Sequence, residues 1–101
     1  MAINAYLQTI DGKKRQEVFD MNYCLAGLWP IGDKSFPLLR YIDPYGSVVF
    51  NEKQMAEVEH ELNLLLARCS SKEQKEVLTG IRDLAKRGQE SPHQFLRFRG
   101  D

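Results

Sequence analysis

Glu57-x-x-His60 has the spacing of a carboxylate–histidine metal pair. On a helix the two side chains would sit on neighbouring turns. A carboxylate-bridged metal centre in a bundle uses two such pairs plus glutamates from other helices. This chain has one copy, turned away from the apolar stripe described below, so the pair reads as a solvated helix face. His93 could act as a general base, but no nucleophile or orienting acid lies near it in sequence, and it reads better as the start of a strand. Whether His60 and His93 meet in space stays open at this point. Cys24 and Cys69 share no CxxC or metal-ligand spacing and read as two buried thiols of a reducing cytosol. There is no glycine-rich phosphate loop and no serine-elbow motif. Arg99-Gly100-Asp101 spells a cell-adhesion tripeptide; with no secretion signal it reads as chance. The expectation is a protein that is not an enzyme and that takes no metal and no cofactor.

The 101 residues are enough for one domain, 1–101, with a single core. Fourteen basic and fourteen acidic residues cancel, which argues against a dedicated nucleic-acid binder and leaves room for local patches. No charged segment precedes an apolar signal region, and no apolar run approaches the roughly 18 residues of a membrane span. A cytoplasmic location is expected.

The elements that would position any site follow from local pattern. Ile3–Ile10 alternates, and Asp11-Gly12 follows it as a hairpin turn, with a return strand at about Arg15–Phe19. Asp20–Trp29 could hold a short helix capped by Asp20, with Tyr23, Cys24 and Leu28 along one side and Pro30 as its stop. Ile31–Pro37 is loop by composition. The most informative stretch is Leu38–Asn51. Two apolar, β-branched and aromatic runs, Leu38–Ile42 and Val48–Phe50, flank Asp43-Pro44-Tyr45-Gly46, which is built as a turn. This predicts a second hairpin, with Phe50 buried and Tyr45 exposed. Asn51 and Gln54 form a capping box for a helix beginning at Glu52. Met55, Val58, Leu62, Leu65, Leu66 and Cys69 make that helix's buried stripe. Ser70 or Ser71 caps the next helix, whose stripe is Val77, Leu78, Ile81, Leu84 and Ala85. Gly88 or Ser91-Pro92 ends it. His93–Phe98 is apolar on both faces and reads as a central strand. The order is ββ(α)ββααβ. That is an α+β fold, a mainly antiparallel sheet with a helical hairpin packed on one face.

Charge is unevenly placed. From Asp43 to Glu61 five carboxylates face Lys53 alone, a local balance of −4. The helix dipole accounts for Glu52; Glu57, Glu59 and Glu61 are left for solvation or for a basic partner. Leu64 falls among Glu57, His60, Glu61 and Arg68 at about 100° per residue, well away from the apolar stripe. Either another element covers it, or it is an exposed apolar anchor in a charged rim, which is how partner sites look.

The run Leu39-Arg40-Tyr41-Ile42-Asp43-Pro44-Tyr45-Gly46-Ser47-Val48-Val49-Phe50-Asn51, then Gln54-Met55 and Glu61-Leu62, resembles a widespread, largely uncharacterised family of small bacterial proteins. Its pattern is close to DPYGDTVFN..QM....EL. Pro92-His93 and Gly100-Asp101 resemble the way its members close. The likeness runs from about Leu38 to the C-terminus, and the first third matches loosely. Ser47 stands where the family usually has an acidic residue. Some members resemble immunity proteins encoded beside polymorphic toxins, including contact-dependent inhibition systems whose toxins are often RNases.

The leading expectation is therefore a cytoplasmic, non-enzymatic protein-binding module, an immunity protein for a cognate, basic toxin domain. Its partner-binding residues would be Asp43, Tyr45, Glu57, His60, Glu61 and Leu64. The alternative is an RNA- or nucleotide-associated protein using His93, Arg97, Arg99 and neighbouring aromatics. A small hydrolase comes third.

Overall fold

The computed structural model describes residues 2–100. In chain order it contains β1 (Ile3–Thr9), β2 (Lys14–Val18), a single 3₁₀ turn (Leu39–Tyr41), β3 (Ser47–Phe50), α1 (Met55–Leu66), α2 (Lys72–Arg87) and β4 (Gln94–Gly100). The strands form one antiparallel sheet in the order β2-β1-β4-β3. The fold is α+β, as expected, and β4 lies between β1 and β3. The final glycine–aspartate pair and the adhesion-like tripeptide end at Asp101, outside the described residues.

The first hairpin follows its turn chemistry. Gly12 N donates to Thr9 O at 2.9 Å, and Gly12 has φ +84°, a conformation that costs a residue without Cβ little. Pairing runs from Ala5 opposite Val18 to Leu7 opposite Gln16, then skips to Gln8 opposite Lys14. Arg15 is thus the extra residue of a bulge.

Two expected elements are absent from the described residues. Residues 20–29 form a chain of turns instead of a helix. Tyr23 and Gly27 both have positive φ, which interrupts any right-handed run. Asp20 still works as a cap, its carboxylate accepting from Cys24 N and Leu25 N at 2.9 Å each, but it holds turns. The second correction concerns the central hairpin: Leu38–Ile42 is not a strand. Phe36, Leu39 and Ile42 are the buried residues here, and they are spaced by three. That spacing suits a 3₁₀ turn, where positions i and i+3 align, and it defeats the alternation a strand requires. β3 pairs with β4 instead, Phe50 opposite Leu96.

The helices match their periodicity. Met55, Val58, Leu62 and Leu65 of α1 and Leu78, Ile81, Leu84 and Ala85 of α2 are buried. Ser71 caps α2, accepting from Gln74 N at 3.1 Å. The Asn51–Gln54 box is also made. Asn51 Oδ1 accepts from Gln54 N at 3.1 Å, and Gln54 Oε1 accepts from Asn51 N at 2.9 Å. It closes a lead-in turn, however, and the α-helix proper begins at Met55 rather than Glu52.

Residues 20–46 are not a surface loop in the usual sense. Leu25, Trp29, Phe36, Leu39 and Ile42 join the same core as Ile3, Ala5, Leu7, Leu96 and Phe98. They share the helix-covered face of the sheet, where Trp29 meets Phe98 edge-on at 5.7 Å between ring centroids.

Candidate functional site

The candidate residues fall at two places in the fold, the Asp43–Gly46 turn and the exposed side of α1. The turn is rigid for local reasons. Asp43 Oδ1 accepts from Tyr45 N at 2.8 Å, and Gly46 N donates to Asp43 O at 3.3 Å. It is also fastened to the sheet, because Gly100 N donates to Gly46 O at 2.7 Å. Gly100 lies so close that a Cβ there would collide with the Pro44 carbonyl. Tyr45 consequently stands out from the molecule, 83% exposed, while Phe50 is buried at the other end of the motif. Both follow the sequence expectation.

On α1, Glu57 and His60 are exposed. Leu64, one and two turns further along the same side, is 43% exposed. Of the two readings of Leu64, the exposed one describes the fold. Tyr41, 60% exposed, adds a second aromatic outside the turn, with the Arg40 guanidinium over its ring at 5.1 Å.

Glu61 does not belong to this surface. It is fully buried, and its carboxylate accepts from Leu39 N at 2.9 Å and from Leu38 N at 3.1 Å. It serves to hold the 3₁₀ turn against α1. Burial pushes its carboxyl above the usual range; the two backbone donors oppose this, and neighbouring Glu57 adds to it. Glu59 is partly engaged as well, accepting from Gln89 Nε2 at 2.9 Å. The acidic surface is therefore thinner than the charge count implied.

His93 stands apart from the α1 surface on which His60 lies. His93 has φ +63° and its N–H donates to Glu52 Oε2 at 3.1 Å. No group of three or more histidine, cysteine, aspartate or glutamate side chains among the described residues has metal-binding geometry. Cys24 is pushed up to about 11 by burial and by its hydrogen bond to Asp20, so it stays a thiol near neutral pH. Burial raises Cys69 too.

The alternative residue set lies elsewhere. Strand alternation sends Asn4, Tyr6, Gln8, Phe95, Arg97 and Arg99 to the sheet face opposite the core residues. Arg97 is already engaged there, donating to Gln8 Oε1 at 3.1 Å and Ser47 Oγ at 3.2 Å. Tyr6 is only 6% exposed, with Lys14 Nζ 4.6 Å from its ring centre. Base stacking needs an open aromatic face, and Tyr6 does not offer one.

Sequence reasoning missed the buried role of Glu61. Its acceptor contacts reach a segment 22 and 23 residues earlier, which no local pattern encodes. No helix among the described residues is long and apolar enough to cross a membrane. Comparison with family models, with curated proteins and with solved structures finds no match to this chain.

Proposed function

We propose that this chain is a non-enzymatic, cytoplasmic protein-binding module that neutralises a cognate toxin domain carrying a basic site, such as an RNase. The observation behind the reading is Leu64. An apolar side chain, 43% exposed, lies on α1 beside Glu57 and His60. An apolar contact inside a polar rim is the usual anatomy of a protein interface. The rigid turn supports it by presenting Tyr45 on a fastened loop, and aromatic anchors held in advance lose little entropy on binding. The resemblance of the stretch from Leu38 onward to the DPYG-motif family, some of whose members resemble immunity proteins, supplies the partner class. Asp43 and Glu57 would meet the positive site, and Leu64 and Tyr45 would supply the desolvated contact.

The test starts from the neighbouring genes: a toxin domain encoded there is the ligand for binding kinetics, run with a growth-rescue assay. Glu57→Lys should slow association, and added salt should shrink the difference from wild type. Leu64→Ala should mainly speed dissociation. Two variants that bind and protect like wild type would move the interface off this surface. Wild-type protein that neither binds nor protects would sink the immunity reading.

A further inference from the structure

β2 stands at the edge of the sheet and has α2 alongside it. Two adjoining clefts share Gln16 and Arg87: one of about 290 Å³ reaches from β2 past Leu7 of β1 to Gln94 of β4, and one of about 340 Å³ lies between β2 and α2. The first is lined by Arg15, Ser91 and Gln94 as well, with Leu7 at its base. The second passes between Val18 on the strand and Gly80 and Leu84 on the helix. We propose that this groove takes an extended, acidic segment of another protein, which adds to the free edge of β2 as a fifth strand.

Three observations support this. An edge strand presents unpaired N–H and C=O groups at alternate residues, and β2 offers five residues of such an edge, about 17 Å of strand with the bulge at Arg15 within it. The helix wall is low because Gly80 has no side chain there. A helix-interior glycine costs about 1 kcal/mol relative to alanine. Packing does not require that cost, because a Cβ at this position would lie 3.4 Å from Val18 in ordinary contact. Charge sets the kind of segment. Glu17 is paired with Lys14 at 3.2 Å, and Asp83 with Arg82 at 3.3 Å. Arg15 and Arg87 have no side-chain partner among the described residues, with Glu90 the one carboxylate left to offset them. The bulge that sets Arg15 out of the ladder places one guanidinium at the strand side of the groove, and Arg87 supplies another from the helix side. Two guanidinium groups flanking a strand edge suit carboxylate side chains, which they can bind in a two-pronged fashion. Such pairing to a sheet edge, with pockets for side chains, is an established way of gripping peptides.

The surface is separate from the α1 face, so the two proposals fail independently. The probe is a fluorescein-labelled seven-residue peptide of alternating valine and glutamate, titrated against the full chain by fluorescence polarisation. Saturable binding is expected, with slowed amide exchange at Gln16–Val18. Arg15→Glu and Arg87→Glu should each weaken it by about tenfold or more. Both side chains are exposed, so thermal melts of these variants should match wild type. Glu57→Lys and Leu64→Ala should leave the peptide affinity unchanged. A peptide N-methylated at alternate residues keeps its charges and loses its ladder bonds, so it should not bind. The proposal is overturned by the absence of binding, by equal binding of a valine–lysine peptide, by indifference to both arginine reversals, or by full affinity of the N-methylated peptide.

Discussion

Asp20 and Glu61 do related work on the long segment between the first hairpin and β3. Each is a buried carboxylate whose acceptor capacity is filled by backbone N–H groups of that segment. A carboxylate can serve several donors at once, which is how a stretch without regular structure meets its hydrogen-bonding needs inside a core. For Glu61 this has a pH signature. Burial raises its carboxyl above the usual value, so the folded chain holds that proton more readily than the unfolded one does. The group's contribution to stability is complete below its unfolded value, about 4.3, and is lost as pH rises through the raised folded value. Glu57, one turn away, pushes in the same direction. Glu61→Gln cannot ionise. The unfolding free energy of the variant minus that of wild type should therefore become more positive as pH rises above about 4. Urea titrations at several pH values measure it, and a flat difference would refute the assignment. Glu61→Leu should instead destabilise at every pH, at about 1–3 kcal/mol for each N–H left without a partner.

At the scale of elements, two glycines give opposite expectations for one substitution. Gly80 lies within α2 with space for a Cβ, so Gly80→Ala should stabilise the chain by about 0.5–1 kcal/mol. Gly100 ends β4 against the Pro44 carbonyl, and Gly100→Ala should push the turn off the sheet at a cost of about 1–3 kcal/mol. Chemical denaturation of the pair checks both signs. A neutral Gly100→Ala would mean that the turn is not fastened there and that Tyr45 is presented on a loose loop. The contrast also marks where sequence was sufficient. α1 and α2 each repeat one period for several turns, and Gly12 marks the first hairpin's turn, so all three were legible, although that turn closes from Gly12 N to Thr9 O. Gly100 looks like any strand-end glycine until the turn beside it is known. Leu38–Ile42 carries the composition of a strand, yet its burial repeats every third residue, beginning at Phe36, outside the apolar run. Leu64's place off its stripe was a local signal, but whether another element covered it was not legible, because that depends on the packing of the whole chain. Nor was the role of Glu61, since its partners come from another part of the chain.

For the molecule as a whole, the question is whether residues 20–46 form a separate layer or part of the one core. Phe98, on the central strand β4, touches both candidates for the answer. Trp29 of the long segment meets it edge-on at 5.7 Å and 75°, and Phe50 of β3 does so at 5.9 Å and 74°. Aromatic pairs in this geometry add about 0.5–1.5 kcal/mol each beyond simple burial. The segment is thus tied to the sheet through Trp29 and to α1 through Glu61, and it covers the same sheet face as the helical hairpin. Peeling it away would expose Phe98 and strip the donors from Glu61 together, so partial opening gains little entropy for a large loss of contact. Unfolding should then be a single cooperative event. Trp29 is the only tryptophan in the chain, and it lies in the segment whose attachment is at issue. Its fluorescence reports that segment, while far-ultraviolet circular dichroism reports mainly α1 and α2. In urea the two transitions should share one midpoint and one slope. A fluorescence transition completed at lower urea than the loss of helix would show that the segment leaves first. In that case the Asp43–Gly46 turn, the last part of that segment, would be held only by its bond to Gly100 and its run into β3.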